Sequence, residues 1–302
     1  MTLTLAENFR AIFYTPFYLL KTLGLAEQAG LALEWLPPGS PGGAIDAIKA
    51  GSVDLTWGGP MRVMKDHDTT PADGQSLLCF GEVVARDPFF LVGKKTLGHF
   101  ELAHLHQLRL ALVSEVPTPW LCLQADLRDQ GLNVPEIEAS LKRGLSMPEQ
   151  IQALKAGSLD VAQLFEPLAS EVLADPAYQL LYAAHTRGPT VYTTLICSRA
   201  GWDKHHAAFT TLNQVLGTLQ TWMHAQTPAT IVTHVRSFFP ELHAQHLEQA
   251  IARYLRNGIW AQSPKMSQAG FDRLSYSLHS GKFIRTPIDF ASCVTPLDQP
   301  NT

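Results

Sequence analysis

The chain has 302 residues, of which 46% are hydrophobic and 17% charged, with a formal charge of −4. That length suits two ordinary domains or one large one, and the composition is that of a globular protein rather than a disordered or fibrous one. The weak negative charge, without any long run of like charges, excludes the basic field that nucleic acid needs, and no apolar run reaches the ~18 residues of a membrane span.

The N-terminus, Met1-Thr2-Leu3-Thr4-Leu5-Ala6-Glu7, lacks the basic start, apolar stretch and small-residue cleavage site of a secretory signal and reads as a first strand over 2–7. Thr15-Pro16 then opens a helix that Gly24 ends. A second strand is expected over 31–36, and the Pro- and Gly-rich loop 37–43 delivers the chain to the next helix.

That helix carries a sequence that recurs later. Ile45-Asp46-Ala47-Ile48-Lys49-Ala50-Gly51-Ser52-Val53-Asp54-Leu55 is echoed by Ile151-Gln152-Ala153-Leu154-Lys155-Ala156-Gly157-Ser158-Leu159-Asp160-Val161. In each copy the apolar spacing before the Gly is helical, the Gly suits a left-handed cap, and the apolar step after it suits a buried parallel strand. Two copies so far apart are too few for a solenoid and predict two similar α/β lobes.

After the first copy, a third strand over 54–57 turns at Gly58-Gly59-Pro60 into a helix. Strands 77–85 and 89–92 flank Arg86-Asp87-Pro88 and lead out of the first lobe. A buried strand over 108–113 begins the second α/β set, a helix starts at 117–120, and a strand over 159–163 follows the second copy. The β-branched run Tyr192-Thr193-Thr194-Leu195-Ile196-Cys197 returns the chain to the first lobe. Helices then fill 203–225, 240–257 and 266–280, with Thr227-Pro228 opening another between the first two. This tail packs most simply on lobe one. The expected organisation is lobe one at 1–92 plus 194–302, lobe two at 93–193, and two crossings forming a hinge.

In open α/β lobes a ligand lies off the carboxyl ends of the strands. That rule selects Phe13, Tyr14 and Phe17 after strand one, Gly42 and Gly43 after strand two, and Trp57, Gly58, Pro60 and Arg62 after strand three. From lobe two it selects Ser114, Thr118 and Trp120, then Phe165 and Glu166, with Tyr192 on the hinge strand. Tyr14, Trp57 and Trp120 could sandwich a planar ring, backbone N–H groups at Gly42, Gly43 and Thr118 could hold an anion, Arg62 could pair with an acid and Glu166 could accept from a ring amine.

Phe13-Tyr14-Thr15-Pro16-Phe17-Tyr18 before a helix ending at Gly24-Leu25, then Gly30-Leu31, the A-x-K-A-G-x-x-D turn, Asn257-Gly258-Ile259-Trp260, Gly270-Phe271 and Ser280-Gly281-Lys282-Phe283-Ile284 resemble the solute-binding proteins of the thiamine-pyrimidine and alkanesulfonate uptake branch. The resemblance spans nearly the whole chain. It implies a type II periplasmic-binding-protein fold, a small-molecule ligand between the lobes, and an ABC permease as partner. A thiamine pyrimidine precursor is the first ligand class, with alkanesulfonates and other small organic anions the alternative. A eukaryotic relative of this fold is a pyrimidine synthase that uses its own His, pyridoxal phosphate and a cysteine-rich iron-binding segment. Here the corresponding stretch reads Trp57-Gly58-Gly59-Pro60-Met61-Arg62, without the Lys and His of that enzyme, and the cysteines are not clustered.

No catalytic motif of the hydrolase, P-loop, zincin or dinucleotide type is present. The closest histidine pairs, His104/His106, His205/His206 and His243/His246, lack a second ligand cluster and read as surface residues. Cys79, Cys122, Cys197 and Cys293 form no CxxC pair and are expected as free, buried thiols. The expectation is therefore a monomeric binding protein without catalytic residues, metal or cofactor. The periplasm is expected from the resemblance, with the cytoplasm kept open by the N-terminus; the alternative roles are a pyrimidine-precursor synthase-like enzyme of the same fold and a cytoplasmic ligand-sensing module.

Overall fold

The computed structural model describes residues 1–297 apart from Asn8, Pro38, Ser40, Pro71 and Glu115. In chain order the first part runs β1 (Thr2–Ala6), α1 (Thr15–Thr22), α2 (Leu25–Gln28), β2 (Ala32–Leu36), α3 (Pro41–Lys49), β3 (Leu55–Gly58), α4 (Met61–Thr69) and β4 (Leu77–Val84). The middle comprises β5 (Phe90–Lys94), β6 (Leu110–Ala111), α5 (Thr118–Asp129), α6 (Val134–Ala139), α7 (Met147–Ala156), β7 (Val161–Leu164), α8 (Leu168–Leu173) and β8 (Tyr178–Ala183). The last part is β9 (Thr193–Ser198), α9 (Arg199–His224), α10 (Pro228–Val235), α11 (Ala244–Arg256), α12 (Gln268–Ser280) and α13 (Phe290–Cys293).

These strands make two sheets, ordered β2-β1-β3-β9-β4 and β6-β7-β5-β8. The chain crosses between them at 85–89 and again at 184–192. The crossings are bonded to each other: Ala184 N–H donates to Phe89 O at 3.0 Å, Thr190 N–H to Ala85 O at 2.9 Å and Tyr192 N–H to Val84 O at 2.8 Å. Between them lies a buried charge cluster, in which the Arg187 guanidinium pairs with Asp87 on the first crossing and Asp126 on α5. Tyr182 Oη donates to the same Asp126 at 2.7 Å.

Three details differ from the sequence expectations. The first sheet gives up the chain earlier than 92, because Phe90–Lys94 pairs antiparallel with both β7 and β8 in the second sheet. The strand expected over 108–113 is only two residues long, since side chains take over the ladder on both sides of it. Arg109 N–H donates to Asp160, Val113 N–H to Gln163 Oε1, and Gln150 Nε2 to Leu112 O.

The helical tail does not stay on the first sheet. It covers that sheet's β4 edge, where Ala261 N–H donates to Val83 O at 2.9 Å and Thr295 N–H to Cys79 O at 3.0 Å, which removes an open edge that would otherwise pair with other chains. It also reaches the second lobe: α12 lies along α5, and α11 lies against α8. All four cysteines are buried and stand outside any disulfide, and burial pushes the thiols of Cys122, Cys197 and Cys293 up. No helix among the described residues is long and apolar enough to cross a membrane.

Candidate functional site

Five segments converge between the sheets, all of them loops, first turns or residues at strand ends. The turn after β1 is held at three points: Ala11 N–H donates to Tyr18 Oη at 3.2 Å, Thr15 Oγ1 to Ile12 O at 2.7 Å, and Trp260 Nε1 to Phe13 O at 2.8 Å. These bonds aim Phe13 and Tyr14 inward. After β3, Gly59 brings the backbone close to the second crossing, where an added Cβ would stand 3.5 Å from Tyr192 O, and α4 then presents Met61 and Arg62. Lobe two contributes Val116 and Thr118 at the start of α5, and the crossings contribute Phe89, Tyr192 and Thr193.

Together with Phe9 these residues enclose a cavity of about 30 Å³. Its walls are an edge-to-face aromatic network, with Phe13–Tyr14 centroids 4.5 Å apart, Phe9–Tyr14 at 5.4 Å and Phe89–Tyr192 at 5.9 Å. Arg62 supplies the only formal charge among the described lining residues. Burial lowers its guanidinium pKa, opposed by Tyr14 and Asp46, and no described residue hydrogen-bonds or closely ion-pairs with it. Burial pushes the Tyr14 phenol up, while Arg62 and a hydrogen bond with Thr193 pull it back. The Tyr192 hydroxyl is buried without a hydrogen-bond partner among the described residues.

Outside Arg62 the cleft opens into a pocket of about 310 Å³ between α3, α4, Phe283 and Pro117. Its other cations are already neutralised, Lys49 by Asp66 and Lys65 by Asp68. Among the described lining residues Arg62 therefore stands out as the cation that faces both spaces without a hydrogen bond or close ion pair, Asp46 acting on it only from farther away.

Of the residues chosen from the sequence, Phe13, Tyr14, Arg62, Thr118 and Tyr192 meet at this cavity. Phe165 stands one layer behind, edge-on to Phe13 and to Phe89 at 5.3 Å each. Gly58 closes β3 opposite Thr194 and Pro60 precedes α4; both are buried beside Gly59 without lining the space. Gly42 and Gly43 form the first turn of α3, away from the cavity.

Trp57 and Phe17 do not reach the cavity. They are fully buried and stack on each other at 4.5 Å with a 9° interplanar angle, because Trp57 still obeys the β3 pleat and points to the face that α1 covers. Ser114 and Trp120 line a neighbouring pocket, so the two indoles do not face each other across the cleft. Glu166 turns to the back of the second lobe. It is fully buried, paired with Arg253 at 2.6 Å, and accepts from Ser170 N–H at 3.0 Å and Ser170 Oγ at 2.9 Å. Burial raises its carboxyl pKa, with Arg253 opposing. Sequence reasoning missed Phe9, Gly59, Met61, Phe89, Val116 and Thr193, each of which adjoins a residue or loop that the strand-end rule had selected.

No protein-family model matches the chain. A candidate binding protein of Bacillus subtilis (strain 168), YtlA, is 18% identical over 286 residues, which is 89% of this chain and 80% of that protein. Among solved structures, the periplasmic aliphatic sulphonate binding protein SsuA of Escherichia coli is similar with a TM-score of 0.76 at 16% identity, over 96% of each chain. The alkanesulfonate-binding protein SsuA of Xanthomonas axonopodis pv. citri, bound to MOPS, gives a TM-score of 0.72 at 17% identity, over 97% of this chain and 98% of that one. The nitrate-binding protein NrtA of Synechocystis PCC 6803 gives 0.65 at 12% identity, over 93% of this chain and 80% of that one. The fold is that of the type II periplasmic binding proteins, as the sequence led us to expect.

Proposed function

We propose that this protein binds a small organic anion between its two lobes and delivers it to an ABC importer, without turning it over. The observation that carries this reading is Arg62: a half-buried guanidinium, free of hydrogen bonds and close ion pairs among the described residues, at the mouth of an aromatic cavity. A sulfonate or carboxylate would complete its hydrogen bonds in a site partly withdrawn from water, where a charge-assisted contact is strong. The Tyr192 hydroxyl would donate a further bond, and the faces and edges of Phe9, Phe13 and Phe89 would take the apolar part. Opening of the lobes would exchange the ligand, and closure would be favoured by as much as the ligand binds the closed form better.

The sulphonate- and nitrate-binding neighbours support an anion. The indole pair that would sandwich a planar heterocycle is not assembled, since Trp57 is core and Trp120 lies in another pocket. Arg62→Ala should weaken binding of short alkanesulfonates, measured by titration calorimetry, by about 2–3 kcal/mol or roughly 30- to 150-fold, with the melting temperature unchanged. Undiminished sulfonate affinity in that variant would sink the assignment, and tight binding of an uncharged aminopyrimidine that ignores Arg62 would restore the heterocycle.

A further inference from the structure

The pocket that takes Ser114 and Trp120 has a volume of about 330 Å³, and its described lining comes from the second lobe alone. That is the size range of small-molecule sites, about 300–1,000 Å³. Its wall is apolar, with the half-buried Trp120 ring beside Leu112 and Leu141. On its rim the exposed Lys142 ammonium makes no hydrogen bond or ion pair among the described residues, whereas neighbouring Arg143 is engaged by Glu138 at 2.7 Å. Lys142 is also well placed: its backbone N–H donates to Leu110 O at 2.8 Å and it bridges Ala111, so the side chain springs from the sheet edge.

We propose that this pocket is a second small-molecule site, for an amphipathic carboxylate whose aromatic or branched body lies on Trp120 and the leucines and whose anion pairs with Lys142. Val116 lines both this pocket and the inter-lobe cavity, so the two spaces are neighbours. The site rests on its own lining and stands whether or not the cleft binds an anion.

Calorimetric titration of the full chain with benzoate separates the two. Benzoate binding should persist within about twofold in Arg62→Ala and fall about tenfold or more in Lys142→Glu, whose exposed position leaves the melting temperature unchanged. A Lys142→Gln variant should lie between wild type and Lys142→Glu. Loss of benzoate binding in Arg62→Ala with retention in Lys142→Glu would move the ligand to the cleft and overturn the proposal. Loss in both, meaning one ligand spanning both spaces, or no binding to the wild-type chain, would overturn it equally.

Discussion

The two copies of the repeated sequence perform the same structural task almost bond for bond, yet the residues that follow them are put to opposite uses. Gly51 and Gly157 take left-handed conformations, with φ of 70° and 76°. Ser52 N–H donates to Ala47 O and Ser158 N–H to Ala153 O, both at 3.0 Å. Asp54 then accepts Thr4 N–H from β1, and Asp160 accepts Arg109 N–H beside β6, both at 2.8 Å. Each Asp thus clips its strand to a parallel neighbour, β3 to β1 and β7 to β6. Beyond the strand the copies diverge. Lobe one continues through Gly59 to Arg62, a cation facing the cleft without a close ion pair among the described residues; lobe two continues through Phe165 to Glu166, an acid sealed against Arg253 on α11. The repeat builds the lobe, and the unrepeated residues after it decide what the lobe does.

The sharpest way to break this contrast is at its charged ends. Arg253→Ala leaves the fully buried Glu166 carboxylate unpaired and should cost about 3–5 kcal/mol in denaturant unfolding. Next in size are the glycines. Gly51→Ala and Gly157→Ala force a Cβ into the left-handed region, with open space around Gly51 and only the flexible tip of Lys94 near Gly157, so each should cost about 1–2 kcal/mol and by similar amounts. Clearly unequal losses at the two glycines would mean that the copies are not mechanically equivalent.

Asp160→Asn should cost about 1 kcal/mol through its weakened bonds to Arg109. Hydrogen bonds from Arg109 hold the Asp160 carboxyl below the usual range. Its stabilisation is therefore complete above the unfolded value of about 4 and is lost as pH falls through the lower folded value. Denaturation curves between neutral pH and about pH 3 should accordingly be less pH-dependent in Asp160→Asn than in the wild type. Smallest of all, Arg62→Ala should leave stability within about 0.5 kcal/mol, because the side chain has no hydrogen-bond or close ion-pair partner among the described residues to lose. A large loss of stability there would show that Arg62 is structural and that the two lobes use their strand ends alike.

The sequence by itself determined the lobes. Helical spacing ending at a glycine, followed by a short apolar step, is local chemistry, so the repeat, the two α/β units and, within one residue, the strand read at 192–197 and found at 193–198 could be read directly. The strand-end rule also reached Phe13, Tyr14, Arg62, Thr118 and Tyr192. Only the tertiary structure decided which way the remaining side chains point. Trp57 is core because α1 covers its face of the sheet, and Glu166 is sealed because a helix from the other end of the chain brings Arg253 to it. Phe9 and Phe89 join the cavity because loops far apart in sequence meet there. Periodicity records the environment of a residue within its own element, whereas the direction and partner of a side chain at a strand end depend on contacts between elements distant in the chain.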